Sequence, residues 1–284
     1  MSGTRVVRAP AKLNLCLYLG EARGDGLHEL CSLFAPITLA DELDVSEANE
    51  DAVRCRGHEE PDLTARALAA LRAEGWRGAP LRIEVNKRIP VAAGLGGGSA
   101  DAAAVLRLAH GEVGDEALLR IATGLGADVP SQLDPRFALV AGSGELVTPL
   151  PDPDPFWAVL LPDPDGLATA DVYAEADRLG LAREGDELTG LRGELVGAAA
   201  AGASPLTYPG LLVNDLAPAA SSLRPSIDGA LAALRDVGAE VAIMTGSGPT
   251  AVGLFGESEA ADVAARRLEQ DGRQAIVAAS GIGA

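Results

Sequence analysis

Three features of this sequence predict an α+β chain of two domains. Up to residue 150, strand-like apolar runs and helix-period segments succeed one another. The stretch PDPDPFW from Pro151, in which proline and aspartate suit neither helix nor strand, then interrupts the pattern. Beyond it the order strand, helix, strand, strand, helix, strand is the ferredoxin-like split arrangement, with extra helices inserted after its first strand. The expected domains are therefore 1–152 and 153–284, and a chain of 284 residues is long enough for a full core.

The elements follow in order. Residues 5–19, with the alternation of KLNLCLYL, and residues 33–46 read as strands of a sheet with one covered face. Residues 61–74 place Leu63, Ala67, Leu68 and Leu71 on one helical face, and 81–85 form a short strand. A helix is expected after Gly114, capped by Asp115 and ended by Gly124 or Gly126. In the second half, strands are expected at 157–161, 241–244, 251–255 and 274–278, and helices at 226–237 and 258–270. The alanines at 198–201 suit a helix or small-residue packing.

Between the strand at 81–85 and the next helix lies PVAAGLGGGSADAAAVL, residues 90–106. Gly94, Gly96, Gly97 and Gly98 hold no side chain between backbone and ligand, so successive N–H groups can turn toward an anion. Ser99 is the expected N-cap, and Val105, Leu106 and Ala109 recur at helical spacing behind it. The positive end of that helix then faces the loop, which is the arrangement of a phosphate site. It is not the common nucleotide P-loop, which requires Lys and Ser/Thr after the last glycine where this chain has Ser99 and Ala100. It is not a dinucleotide fingerprint either: Ser99 stands where a third glycine belongs, and Asn86, Lys87, Arg88 and Pro90 separate strand from loop.

Composition narrows the partners. A formal net charge of -18 argues against nucleic acid or an anionic membrane, so an anionic substrate must meet a local cluster of donors. Cys16, Cys31 and Cys55 are odd in number and show no CxxC spacing. His28, His58 and His110 show no ligand spacing, which together disfavours disulfides and structural zinc and suits a reducing cytoplasm. Among 23 basic residues only Lys12 and Lys87 are lysines, where a compact ammonium on a flexible stem differs from a guanidinium. For Lys87, chance and function stand equal at this point.

Three further segments carry polar residues on turns. TGLGADVP, residues 123–130, presents Asp128, either as a base or as a residue that caps backbone. TGSGPT, residues 245–250, is a glycine turn between two strands that serves as a hairpin connection or offers N–H groups to phosphates. GDGLHE, residues 24–29, presents His28 beside Gly26.

Taken together, these blocks resemble the GHMP small-molecule kinases. PVAAGLGGGSADAA is similar to the central motif of that superfamily and MTGSGPTAVGLF to its third. APAKLNLCLYL, DGLHEL, SLFAPITLADEL, LGADVP and VNDL further resemble the branch acting on 4-diphosphocytidyl-2-C-methyl-D-erythritol. The resemblance implies a ribosomal protein S5 domain 2-like N-terminal domain beside the ferredoxin-like C-terminal one. It implies ATP and Mg2+ as cofactors, and phosphorylation of the 2-hydroxyl of the methylerythritol unit in isoprenoid precursor synthesis. It makes Lys12 and Asp128 the catalytic pair and Pro90, Val91, Ala92, Ala93, Gly94, Leu95, Gly96, Gly97, Gly98, Ser99 and Ala100 the ATP loop. Asn14, His28 and Tyr173 become substrate-binding residues, with Tyr173 stacking on cytosine and His28 at its edge.

Two positions depart from the branch pattern. Leu27 replaces the tyrosine expected before His28, and Ser131 and Gln132 replace two phenylalanines near Asp128. The partners implied are ATP and the small-molecule substrate, with a monomer or weak homodimer expected in the cytoplasm. Asn214 and Asp215 are expected to fix the C-terminal domain. The rivals are a homoserine- or mevalonate-type GHMP kinase and a silent nucleotide-binding protein of the same fold.

Overall fold

The computed structural model describes residues 4–55 and 63–283; His58 and the expected helix start at 61–62 lie outside them. In chain order the elements are β1 (Arg5–Asn14), β2 (Tyr18–Ala22), β3 (His28–Glu47), β4 (Ala52–Cys55), α1 (Leu63–Ala73), β5 (Leu81–Asn86), α2 (Gly97–Arg107), α3 (Asp115–Leu125), α4 (Val129–Gln132), β6 (Ala138–Gly142) and β7 (Leu146–Pro149). They continue as β8 (Trp157–Leu161), α5 (Thr169–Leu179), α6 (Gly185–Ala199), α7 (Ala217–Leu223), α8 (Ser226–Asp236), β9 (Val241–Met244), β10 (Ala251–Phe255), α9 (Ser258–Gln270) and β11 (Ile276–Ala279). The chain forms two compact units whose segments interleave. One takes the chain up to Ala11, Leu39–Val91 and Gly96–Pro135, and the other takes Lys12–Thr38, Ala92–Leu95 and the chain from Arg136. Residues 150–156 form neither helix nor strand, as their prolines and aspartates predict, and they lie inside the second unit.

In the first unit, β5 runs antiparallel to the second half of β3 and parallel to β4. Leu43 stands opposite Val85 and Val45 opposite Ile83, so one face of the pairing is apolar. That face meets Leu68 and Leu71 of α1 and the alanine run of α2, in which every residue from Ala100 to Leu106 is buried. Alanine suits this helix because it is apolar on all sides, has no rotamers to freeze and lets α1 lie close. Each fully buried leucine here is worth about 1.5–3 kcal/mol relative to exposure.

Two caps differ from expectation. Helix α2 begins from Gly96, whose left-handed φ of 71° suits glycine, so Ser99 falls within the first turn instead of capping it. Helix α3 begins from Gly114, which places Asp115 and Glu116 in the first helical turn, where they complement the dipole.

In the second unit, the first half of β3 pairs with β2 and β6, and β7 completes that side. A separate antiparallel sheet has the order β11-β8-β10-β9. Numbered along the repeat this is 4-1-3-2, the ferredoxin-like order that the sequence predicts. Leu234 of α8 and Ala261, Ala264 and Leu268 of α9 pack against Val159, Leu161 and Phe255 of this sheet. The inserted helices build a further core from Val172, Ala176, Leu216 and Ala219 against Leu17, Leu19 and Met244.

Candidate active site

The chain enters the glycine loop from β5 through a buried ionic strut. Asp41, fully buried on β3, accepts hydrogen bonds from the backbone N–H groups of Arg88 (2.5 Å) and Ile89 (2.8 Å). Lys87 reaches between Asp41 (2.5 Å) and Asp101 of α2 (2.8 Å). Burial disfavours the Lys87 ammonium, but the Asp101 and Asp41 carboxylates outweigh it and hold its pKa above the ordinary value. The question left open for Lys87 is thus answered by geometry: it clamps the loop entry to the helix that follows. A Cβ on Gly97 would lie 3.2 Å from the Lys87 Nζ and 3.0 Å from Ile89 Cγ2, so the strut leaves little room there.

The middle of the loop belongs to the second unit and backs onto TGSGPT. Gly94 has φ +75°, and a Cβ there would meet the Thr245 carbonyl oxygen at 2.6 Å and that of Gly248 at 3.0 Å. Conversely, a Cβ on Gly246 would lie 2.8 Å from the Gly94 oxygen. The two glycine turns therefore touch backbone to backbone, which only residues without side chains allow. Asn214 fixes this turn by donating to the carbonyls of Met244 (2.7 Å) and Gly246 (2.8 Å), and Asp215 accepts from Leu19 N–H and from Arg183. Asn214 and the Arg183–Asp215 pair act within the C-terminal segment, as expected of VNDL, and Asp215 also ties Leu19 to it.

Lys12 and Asn14 lie beside these turns. The Lys12 N–H donates to the Leu95 carbonyl (3.0 Å), and its side chain is 4% exposed. Its ammonium donates to Asn14 Oδ1 and sits 4.5 Å from the centre of the Phe34 ring. Asn14 Nδ2 donates to Ser32 Oγ (2.8 Å), and the Asn14 N–H donates to Thr245 Oγ1 (2.8 Å). An amide whose two ends are both engaged cannot rotate, so it aims the ammonium. Sequence reasoning did not name Ser32, Phe34 or Thr245. The signal for the first two was their spacing of two on one strand, which puts them on one face.

Asp128 lies in the first unit, half-buried, with φ −86°, at the residue before α4. Its side chain makes no capping hydrogen bond to that helix. The turn is held instead by Ser131, whose hydroxyl donates to the Asp128 carbonyl (2.8 Å). It is also held by Arg107 of α2, which donates to the carbonyls of Gln132 (2.5 Å) and Arg8 (2.9 Å). Burial pushes the Arg107 guanidinium down to about 10. Ser131 and Gln132 are buried, so the departure from two phenylalanines changes the inner packing of this turn.

Also in the second unit, the structure brings His28 and Tyr173 together, with ring centres 5.3 Å apart and planes tilted by 41°. His28 is buried at the start of β3, and its Nε2 lies 2.8 Å from Asp177 Oδ1. Asp177, which sequence reasoning missed, follows Tyr173 by four residues on α5, the spacing that stacks side chains on one helix face. Leu27 is 52% exposed at the tip of the turn. That turn is closed by Leu27 N–H to Asp25 (3.0 Å) and by Arg23, which pairs with Asp25 and Glu145. Among the described residues, no three His, Cys, Asp or Glu side chains converge as a metal site, and no helix is long and apolar enough to cross a membrane.

Comparison with known proteins identifies the family. Residues 62–140 match the GHMP kinases N terminal domain family and residues 192–274 the GHMP kinases C terminal family. The chain is 40% identical over 286 residues to a 4-diphosphocytidyl-2-C-methyl-D-erythritol kinase of Thermobifida fusca, covering 94% of this chain and 92% of that protein. It is 38% identical to the enzyme of the same name from Streptomyces avermitilis, covering 96% of each. A crystal structure of 4-(cytidine 5'-diphospho)-2C-methyl-D-erythritol kinase superposes with a TM-score of 0.79 at 34% identity, covering 98% of this chain and 99% of that one.

Proposed function

This chain belongs to the 4-diphosphocytidyl-2-C-methyl-D-erythritol kinases of the GHMP superfamily, and on that premise we propose how its residues divide the work. The reaction moves the γ-phosphoryl group of ATP to the 2-hydroxyl of the substrate, giving the 2-phosphate and ADP, in isoprenoid precursor synthesis. Residues 90–100 hold the ATP phosphates. The observation that carries this is the start of α2. It opens on glycines from a left-handed Gly96 and, like α1, α4 and α7, has no acidic residue in its first turn, whereas α3, α5, α6, α8 and α9 carry one. In a chain of net charge -18, that helix end is kept clear for an anion.

Asp128 takes the proton of the attacking hydroxyl as the new O–P bond forms and the bond from phosphorus to the β-phosphate oxygen breaks. Lys12, aimed by Asn14, offers a fixed positive charge to the oxygens on which negative charge builds. A charge already desolvated and oriented needs no rearrangement at the moment of reaction. Asn14 also shapes the pocket for the methylerythritol unit, and His28 and Tyr173 receive the cytosine. A magnesium ion would be held by the Ser99 hydroxyl in the first turn of α2 together with phosphate oxygens. When bound, the ion neutralises phosphate charge.

The test is direct. Purified protein with ATP and magnesium forms ADP when the cytidine-diphosphate methylerythritol is added, and Asp128→Asn loses most turnover while keeping nucleotide affinity. Turnover of homoserine or mevalonate in place of that substrate overturns the substrate assignment, and an Asp128→Asn variant with full turnover overturns the role of Asp128.

A further inference from the structure

Base selection in this chain has an unusual starting point. The turn that faces the base carries Leu27, which offers no π-face, and the aromatic ring beside His28 comes from Tyr173 alone among the described residues. Discrimination between one pyrimidine and another must then rest chiefly on hydrogen bonds, because stacking on a single ring scarcely distinguishes cytosine from uracil.

We propose that Asp177 is a positioning residue that sets the hydrogen-bonding state of His28, and through it the preference for a base bearing an exocyclic amine. This inference rests on the reading above that His28 meets the cytosine edge. An ionised carboxylate can only accept, so the Nε2 facing Asp177 Oδ1 at 2.8 Å must carry the hydrogen. While that is the ring's one proton, Nδ1 keeps its lone pair and has no partner among the described residues. A lone pair at that point accepts from the 4-amino group of cytosine and repels the 4-carbonyl of uracil, which presents only lone pairs. Without Asp177 the proton is shared between the two ring nitrogens, the ring is free to turn, and half of that discrimination is lost.

The placement on α5 supports this economy of parts. Tyr173 and Asp177 are one turn apart, so a single helix face supplies both the stacking ring and the carboxylate that orients the imidazole. The Asp177 side chain is 54% exposed, and an ion pair so open to water adds little to stability. Its removal is therefore read in ligand selection, with little change in folding.

The experiment compares wild type, Asp177→Ala, Asp177→Asn and His28→Ala on the cytidine-diphosphate substrate and its uridine-diphosphate counterpart. Asp177→Ala is expected to raise KM for the cytidine substrate about tenfold, the scale of one lost polar contact, with the effect falling on KM and not on kcat. The preference for cytidine over uridine should fall by a similar factor. Asp177→Asn, whose amide oxygen still accepts from Nε2–H, should recover most of both. Nitrogen-15 spectra should show Nε2 protonated and Nδ1 bare in wild type and a mixture of tautomers in Asp177→Ala. If His28→Ala keeps the base preference, the base-edge reading fails and this inference with it. If His28→Ala loses the preference while Asp177→Ala keeps it, or Asp177→Asn is as impaired as Asp177→Ala, only the role of Asp177 is overturned.

Discussion

Replacing Gly94 with alanine tests the contact between the two glycine turns. Alanine at φ +75° costs about 1–2 kcal/mol in backbone strain. Its Cβ would also stand 2.6 Å from the Thr245 carbonyl oxygen, so residues 245–248 must retreat. That retreat strains the bond from Asn14 N–H to Thr245 Oγ1 and the bond from Asn214 to the Gly246 carbonyl, each worth about 0.5–1.5 kcal/mol. The expected total is about 2–5 kcal/mol, and at about 2–4 °C per kcal/mol the melting temperature should fall by roughly 4–20 °C. Activity should fall further than stability implies. Asn14 aims Lys12, and a displacement of about 1 Å in a positioning group costs on the order of 10²-fold in kcat/KM. Thermal unfolding and a coupled ADP assay read the two effects. Gly272→Ala is the control, because its φ is +79° but a Cβ there meets nothing within 4 Å, so it carries the strain without the clash. If Gly94→Ala melts with the control and turns over within about twofold of wild type, the backbone contact does not matter and the reasoning is wrong.

Gly98→Ala should separate folding from binding in the other direction. Its Cβ meets only Leu63 Cδ1 at 3.7 Å, so the helix gains about 0.5–1 kcal/mol, whereas KM for ATP should rise about tenfold because the methyl group stands where phosphate rests; an unchanged KM would move the phosphates elsewhere. Arg107→Met removes the donor from the half-buried carbonyls of Gln132 and Arg8 at about 0.5–1.5 kcal/mol each, and it should lower kcat more than it alters KM for ATP, because α4 follows Asp128 directly. For Glu145, burial opposes ionisation, but hydrogen bonds from its own backbone, Ser143 and Arg23 bring its pKa down to about 2. Because the folded-state pKa is depressed, its stabilisation is full above about 4.5 and is lost as pH falls toward 2. The difference in melting temperature between wild type and Glu145→Gln should shrink over that window and stay constant above it.

Much of this protein was legible in the sequence because the signals are local. Residues 33–46 read as a strand, on which the structure places Leu43 and Val45 on one face, and the alanine-rich run after Ser99 read as a helix, in which the structure buries every residue from Ala100 to Leu106. Four glycines leading into that helix are the pattern from which an anion site is proposed, and the spacing of strands and helices after Pro151 was enough to predict the 4-1-3-2 sheet. Lys12 and Asp128 came from resemblance, since neither residue carries a local signature that separates chemistry from capping or chance.

Contacts made across long stretches of chain were not legible, because no periodicity encodes them. That Lys87 ends between Asp41 and Asp101, that Asn14 N–H donates to Thr245, 231 residues away, and that Asp177 faces His28 from 149 residues away depend on which elements the folded core brings side by side. Residue type and spacing decide what each segment can become alone, through backbone sterics and the burial of one face. Which carboxylate meets which cation is decided only when each core forms and desolvated charges must find partners, and that choice belongs to the tertiary structure.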